Sequence, residues 1–232
     1  MNSAMNRREA AHLIDISAVR THHTESDVRE CVRIAKQYGF VNVHSLPAYT
    51  PLVAKLLAGE PDIYVGAPVG FPSGGHRTET KLREAEQLIA DGVQEMDIVM
   101  NVGRFKDGDI KYVLDELKSV IALAPANVLT KVIIEINALT DREMEDACRL
   151  AIESGADFVK TGTGWVAAAD SGSAANIGRI TKIKEITKDS IKVKAAGGIR
   201  TREEFDALLA LGIERFGINT KSALEIVESF SE

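Results

Sequence analysis

Short apolar runs alternate with longer amphipathic stretches along the chain, and the alternation predicts eight strand–helix units. The apolar runs fall at 13–16, 40–44, 63–70, 93–100, 128–136, 157–160, 191–195 and 214–218. Between them, apolar positions recur with helical spacing at 25–38, 48–58, 78–90, from 109 to about 124, from 141 to before Gly155, 174–187, 202–211 and 220–230. Thr24-Glu25-Ser26-Asp27, Thr140-Asp141-Arg142-Glu143 and Thr201-Arg202-Glu203-Glu204 carry N-cap and acidic first-turn signals. Gly39, Gly92 and Gly212 stand where helices should stop. Residues 101–108 read as a loop.

Regular strand–helix alternation implies parallel strands with helices packed outside them. Eight such units in 232 residues predict a (β/α)8 TIM barrel, one domain over 1–232. An open doubly wound sheet is the alternative, and the absence of a GxGxxG run after the first strand counts against it.

The formal charge of −6 argues against a nucleic-acid partner. Cys31 and Cys148 both fall in helical segments, so a reducing cytoplasm is expected rather than a disulfide framework. No apolar run has the roughly 20 residues that cross a bilayer, so no membrane is expected. Residues 1–8 lack the apolar centre of an export signal.

Candidate chemistry sits at strand ends, where barrels carry their catalytic groups. The sixth strand closes on Lys160 and enters Thr161-Gly162-Thr163-Gly164; the seventh carries Lys194 ahead of Gly197-Gly198. Asp97 stands near the end of the fourth strand, and Lys131 on the fifth shares a face with Ile133 and Glu135 by the period of two. Any one lysine could be a solvated strand end or the partner of a carboxylate. Three on neighbouring strands in apolar settings suggest a reactive amine.

A free lysine with a pKa near ~10.4 is neutral in only about one molecule in a few thousand at pH 7. A second ammonium about 4 Å away costs the charged form on the order of 4 kcal/mol, which lowers the pKa by roughly three. Desolvation acts in the same direction. Paired lysines therefore make a nucleophile for Schiff-base chemistry, with Asp97 placed to move protons.

Gly197, Gly198 and Gly217 precede helix starts after the seventh and eighth strands, a frequent phosphate site in barrels. Thr161, Thr163, Asn219 and Thr220 could add donors, while turn geometry alone also explains the glycines. Asp15 on the first strand and Lys131 join these as substrate-binding candidates. No metal or cofactor is expected: of five histidines only His44 lies near a strand end, and none pairs at ligand spacing there.

These residues resemble the deoxyribose-phosphate aldolase family, class I aldolases that work through a lysine Schiff base. The most specific matches are 158–164, Phe-Val-Lys-Thr-Gly-Thr-Gly, and 194–201, Lys-Ala-Ala-Gly-Gly-Ile-Arg-Thr. Val69-Gly70-Phe71-Pro72, Glu95-Met96-Asp97-Ile98-Val99 and Lys131-Val132-Ile133-Ile134-Glu135 support them, and the likeness covers nearly the whole chain. The resemblance implies that Lys160 forms the Schiff base, Lys194 lowers its pKa, and Asp97 takes part in proton transfer. It implies reversible cleavage of 2-deoxy-D-ribose 5-phosphate to glyceraldehyde 3-phosphate and acetaldehyde, by a dimer or tetramer.

The chain departs from the family pattern at Ile16-Ser17-Ala18-Val19-Arg20, at His44 in place of a common cysteine, and at Gly162, Trp165 and Asn219-Thr220. It also ends without the tyrosine tail of some members. These departures leave open a related aldolase for another phosphorylated sugar. A ligand-binding paralogue without catalysis is the reading from a different class.

Overall fold

A computed structural model describes residues 5–166 and 177–232. The expected start, at Ala174, of the helix before the seventh strand and the first four residues lie outside that range.

Eight parallel strands close into a barrel in sequence order. They are β1 (Ile14–Ala18), β2 (Asn42–Ser45), β3 (Tyr64–Val69), β4 (Glu95–Val99), β5 (Leu129–Ile133), β6 (Phe158–Lys160), β7 (Lys192–Ala196) and β8 (Arg215–Gly217). β1 pairs with β8, with Asp15 opposite Gly217, which completes the ring. The closed ring excludes the open doubly wound sheet.

Helices follow the strands: α2 (Glu25–Tyr38), α3 (Thr50–Leu56), α4 (Thr78–Ala90), α6 (Ile110–Ile121), α7 (Asp141–Ser154), α8 (Ile177–Thr187), α9 (Arg202–Ala210) and α10 (Thr220–Glu228). Two short helices, α1 (Arg7–Ala11) and α5 (Val102–Lys106), were not expected. Each has five residues, too few to show a helical period. The expected loop at 101–108 therefore holds a helix capped by the Asn101 side chain. Capping boxes form at Thr24, Thr140 and Thr201, and Gly39 and Gly155 take the left-handed conformation at helix ends.

The main apolar core lies between strands and helices. Ile14, Ile16, Val43, Val65, Met96, Ile98, Val132, Val159, Val193 and Phe216 are buried there, alternating with a second set of side chains. That second set fills the barrel and is largely polar: Asp15, Asn42, His44, Glu95, Asp97, Lys131, Lys194 and Arg215 are all buried. Phe158 plugs its lower part, with the Lys131, Lys192 and Arg215 cations 5.5–5.9 Å from its ring centre. Among the described residues no helix is long and apolar enough to cross a membrane. Cys31 and Cys148 are free, and burial pushes both thiols up to about 12.

Candidate active site

Strand register brings the expected groups together. Asp97 lies opposite Lys131 across β4–β5, and Lys160 lies opposite Lys194 across β6–β7. Inside the barrel these two pairs meet at one carboxylate. Asp97 Oδ2 accepts hydrogen bonds from Lys160 Nζ at 2.7 Å and from Lys194 Nζ at 2.8 Å. Lys131 Nζ stands 3.2 Å from Oδ1, and His44 Nε2 stands 3.3 Å from Oδ2.

A second layer of charge holds this centre. Lys194 also pairs with Asp15, and Lys131 donates to Glu95. Arg215 donates to Asp15 Oδ1 at 2.7 Å and to Glu95 Oε1 at 3.0 Å. Asn42 Nδ2 donates to Glu95 Oε2 at 2.9 Å. Sequence reading singled out neither Glu95 for this place nor Asn42 and Arg215 at all. One signal was available: Glu95 precedes Asp97 by two positions and so shares its face.

The electrostatics follow from burial and this packing. Burial alone would raise the Asp97 carboxyl. His44, Lys131, Lys160 and Lys194 overcome that and hold it well below the usual range. Asp15 is likewise held far below, against burial, by Lys194, Arg215 and Lys131. Burial works against the charged forms of Lys131 and Arg215 too, but their carboxylate partners outweigh it and both stay above their ordinary values. Lys160 goes the other way. Burial is the main cause, Asp97 opposes it, and Lys194 and Lys131 add to it, leaving the amine at about 8. Its neutral fraction at pH 7 is then about one in ten. Desolvation, rather than the neighbouring ammonium that the spacing suggested, does most of this.

Lys160 opens onto a cavity of about 830 Å³ at the C-terminal face of the barrel, with 12% of its side chain exposed. Asp15, Lys194, Thr163, Gly197, Gly198, Gly217, Asn219 and Thr220 line the same cavity. Lys131 does not: it lies beneath Asp97 in its pair with Glu95, so for this lysine the carboxylate partnership is the observed state. Thr161 is also fully buried, its hydroxyl donating to Ala196 O and accepting from Ala196 N. Asn219 spends its side chain on Ser222 N and Ser222 Oγ, capping α10. Thr161 is therefore not left free as the donor expected from sequence, while Asn219 Nδ2 keeps a second N–H.

Gly197 and Gly198 have φ of 97° and 109°, a region that favours glycine. Gly217 serves Lys194 directly, since a Cβ there would stand 3.3 Å from Lys194 Cε and 2.9 Å from Ala196 Cβ. The N-terminus of α10 faces the cavity beside these glycines, together with Arg200 and Lys221. Backbone N–H groups and cations gathered at one end form a fit receptor for an anion.

β5 ends earlier than expected. Glu135 does not continue the face of Lys131 and Ile133: its φ is 53°, and the chain turns there into a 3-10 turn, Ile136–Ala138. The turn swings its carboxylate to Thr163, accepting from N at 3.1 Å and from the hydroxyl. Glu135 thereby braces the loop that follows Lys160. At the rim, Arg20 donates to Gly164 O at 3.2 Å and lies 5.8 Å from the centre of the Trp165 ring, which meets Phe71 edge-on.

Known proteins resemble this chain in sequence and in fold. Residues 2–215 match the family model described as DeoC/LacD family aldolase. The chain is 48% identical over 221 residues to a deoxyribose-phosphate aldolase of Sinorhizobium medicae, covering 95% of this chain and 86% of that one. It is 38% identical to the deoxyribose-phosphate aldolase of Klebsiella pneumoniae, covering all of this chain and 91% of that one. The solved tetrameric deoxyribose phosphate aldolase of Aeropyrum pernix superposes with a TM-score of 0.84 at 28% identity, over 97% of this chain and 92% of that one.

Proposed function

The chain belongs to the DeoC/LacD family of aldolases, and on that premise we propose that it cleaves 2-deoxy-D-ribose 5-phosphate reversibly through a Schiff base on Lys160. One observation carries the reading: Lys160 and Lys194, which both line the cavity, share a single oxygen of the buried Asp97.

Neutral Lys160 attacks the aldehyde carbon of the open-chain sugar, and loss of water gives an iminium. Proton removal from the C3 hydroxyl then breaks the C2–C3 bond, the electron pair moving into the iminium. Glyceraldehyde 3-phosphate leaves. The enamine takes a proton at C2, and water releases acetaldehyde and restores the lysine. Asp97 takes part in proton transfer by holding the donors around it in place. Lys194 and Asp15 keep Asp97 aligned, and Thr163 shapes the loop beside the imine. The phosphate sits at Gly197, Gly198, Gly217 and the start of α10 at Asn219 and Thr220. Lys131 and Thr161 support the site from below rather than touching substrate.

Residues 1–232 act as one barrel domain in this reading. The working form is a cytoplasmic homo-oligomer, supported by the tetrameric relative. The test is a panel of sugar phosphates and aldehyde donors read by coupled assay, beside the Lys160→Ala variant. Fast turnover of deoxyribose 5-phosphate that is lost in the variant is expected. Faster turnover of another phosphorylated sugar would move the assignment within the family, and equal behaviour of both proteins would overturn the catalytic reading.

A further inference from the structure

The centre around Lys160 has abundant cations and carboxylates, but Asp97 and Asp15 are both held as strong carboxylates and are poor proton stores near neutral pH. The aldol step moves one proton off a hydroxyl and one onto carbon. A group that can carry it has to sit beside Lys160 with an open site.

His44 on β2 has that site, and the hydrogen bonds assign its tautomer. Asn42 Nδ2 donates to the Glu95 carboxylate, which only accepts, so the other end of the amide is its oxygen. That oxygen lies 2.5 Å from His44 Nδ1. An amide oxygen only accepts, so Nδ1 carries a proton. Nε2 is therefore the nitrogen whose protonation is free to change. It is buried, makes no hydrogen bond among the described residues, and stands 3.3 Å from the Asp97 oxygen that also holds Lys160. His44 lines the cavity. The groups facing the ring are Asn42, Asp97, Lys194, Lys131 and Asp15.

The ring's place is built into the next strand. Gly66 on β3 lies opposite His44, and a Cβ there would stand 2.3 Å from Nδ1 and 2.4 Å from Cε1.

We propose that His44 Nε2 is the proton carrier of the aldol step, accepting the proton when the C–C bond breaks and returning it to the enamine carbon. The proposal rests on the Schiff-base reading above. The step balances: the hydroxyl gives its proton to the Nε2 lone pair, the O–H electrons form the new carbonyl, and the C–C pair becomes the enamine. The imidazolium then gives that proton to C2. Asp97 Oδ2 stabilises the transient charge on the ring. Burial keeps His44 below its ordinary value, which makes it a neutral base at the start.

Acetaldehyde in deuterium oxide isolates this step, since iminium–enamine interconversion exchanges the methyl hydrogens. The full chain and its His44→Gln variant are compared by two readouts: methyl exchange by NMR, and borohydride trapping of acetaldehyde on Lys160. Exchange is expected to fall about 10²-fold or more, as for loss of a general base, while trapping stays at the parent level. In His44→Ala, added imidazole is expected to restore exchange. Exchange at the parent rate in His44→Gln, an equal fall in exchange and trapping, or failure of imidazole to rescue would each overturn the assignment. Absence of trapping in the parent itself would remove the Schiff-base reading, and this inference with it, before any variant is compared.

Discussion

Lys194→Met removes one ammonium from the Asp97 centre while keeping an unbranched side chain one atom shorter. Both lysine nitrogens hydrogen-bond to one oxygen, at 2.7 and 2.8 Å, which puts them roughly 5 Å apart. At that distance and an effective dielectric near 20, their repulsion is about 3 kcal/mol, equivalent to about two in pKa. Loss of Lys194 also leaves Asp97 freer to favour the charged form of Lys160, while burial continues to oppose it. The Lys160 midpoint is therefore expected to rise from about 8 to about 10, short of its ordinary value. The sign follows from the chemistry: the neutral amine is the reactive form, so activity rises with pH through the Lys160 midpoint. At pH 7 the neutral fraction falls about a hundredfold, and kcat/KM with it. The assay is kcat/KM for deoxyribose 5-phosphate from pH 6 to 10. The variant should recover toward the parent at the alkaline end. Removing a buried partner of Asp15 and Asp97 also costs about 3–5 kcal/mol of stability, so folding is checked by denaturant titration at each pH. A loss of equal size at every pH, with the midpoint still near 8, would refute the reasoning.

Gly198→Ala puts a Cβ on a residue at φ 109°, a strain on the order of 1–3 kcal/mol that turns the loop beside α10. KM for deoxyribose 5-phosphate should rise while turnover of unphosphorylated deoxyribose is unchanged; equal effects on both would remove this loop from the phosphate site. Thr161→Val strips the hydroxyl that both donates to and accepts from Ala196. It should cost about 1–3 kcal/mol in urea unfolding with KM unaltered, and a raised KM at parent stability would make Thr161 a substrate ligand after all.

The eight strand–helix units were legible because apolar period, capping boxes and terminal glycines agree locally. Thr78–Ala90 is a clear case: its helix has the bounds its pattern suggested. α1 and α5 were not legible, since five residues cannot display a 3.6-residue period. Alternation through Ile133 puts Glu135 on a strand face, but the backbone turns there at φ 53°, and that turn has no sequence mark. Lys160, Lys194 and Asp97 stood out as charges in apolar strands. Which lysine would be accessible was another matter. Lys131 looks the same in sequence, and only closure of the barrel reveals that it is paired with Glu95 while Lys160 opens to the cavity. Arg215, Asn42 and the orientation of His44 depend on pairing across strands that are distant in the chain. For the Lys160 shift the spacing points to Lys194, but burial, which a sequence displays poorly, is the larger influence.

The central claim is that Lys160 is the amine that takes the aldehyde. It is tested most directly by borohydride reduction with acetaldehyde at pH 7, followed by peptide mass mapping of the full chain. One ethyl group is expected, on the peptide carrying Lys160, and none there in Lys160→Ala. An adduct on Lys194 or Lys131, or no adduct under turnover conditions, would contradict it.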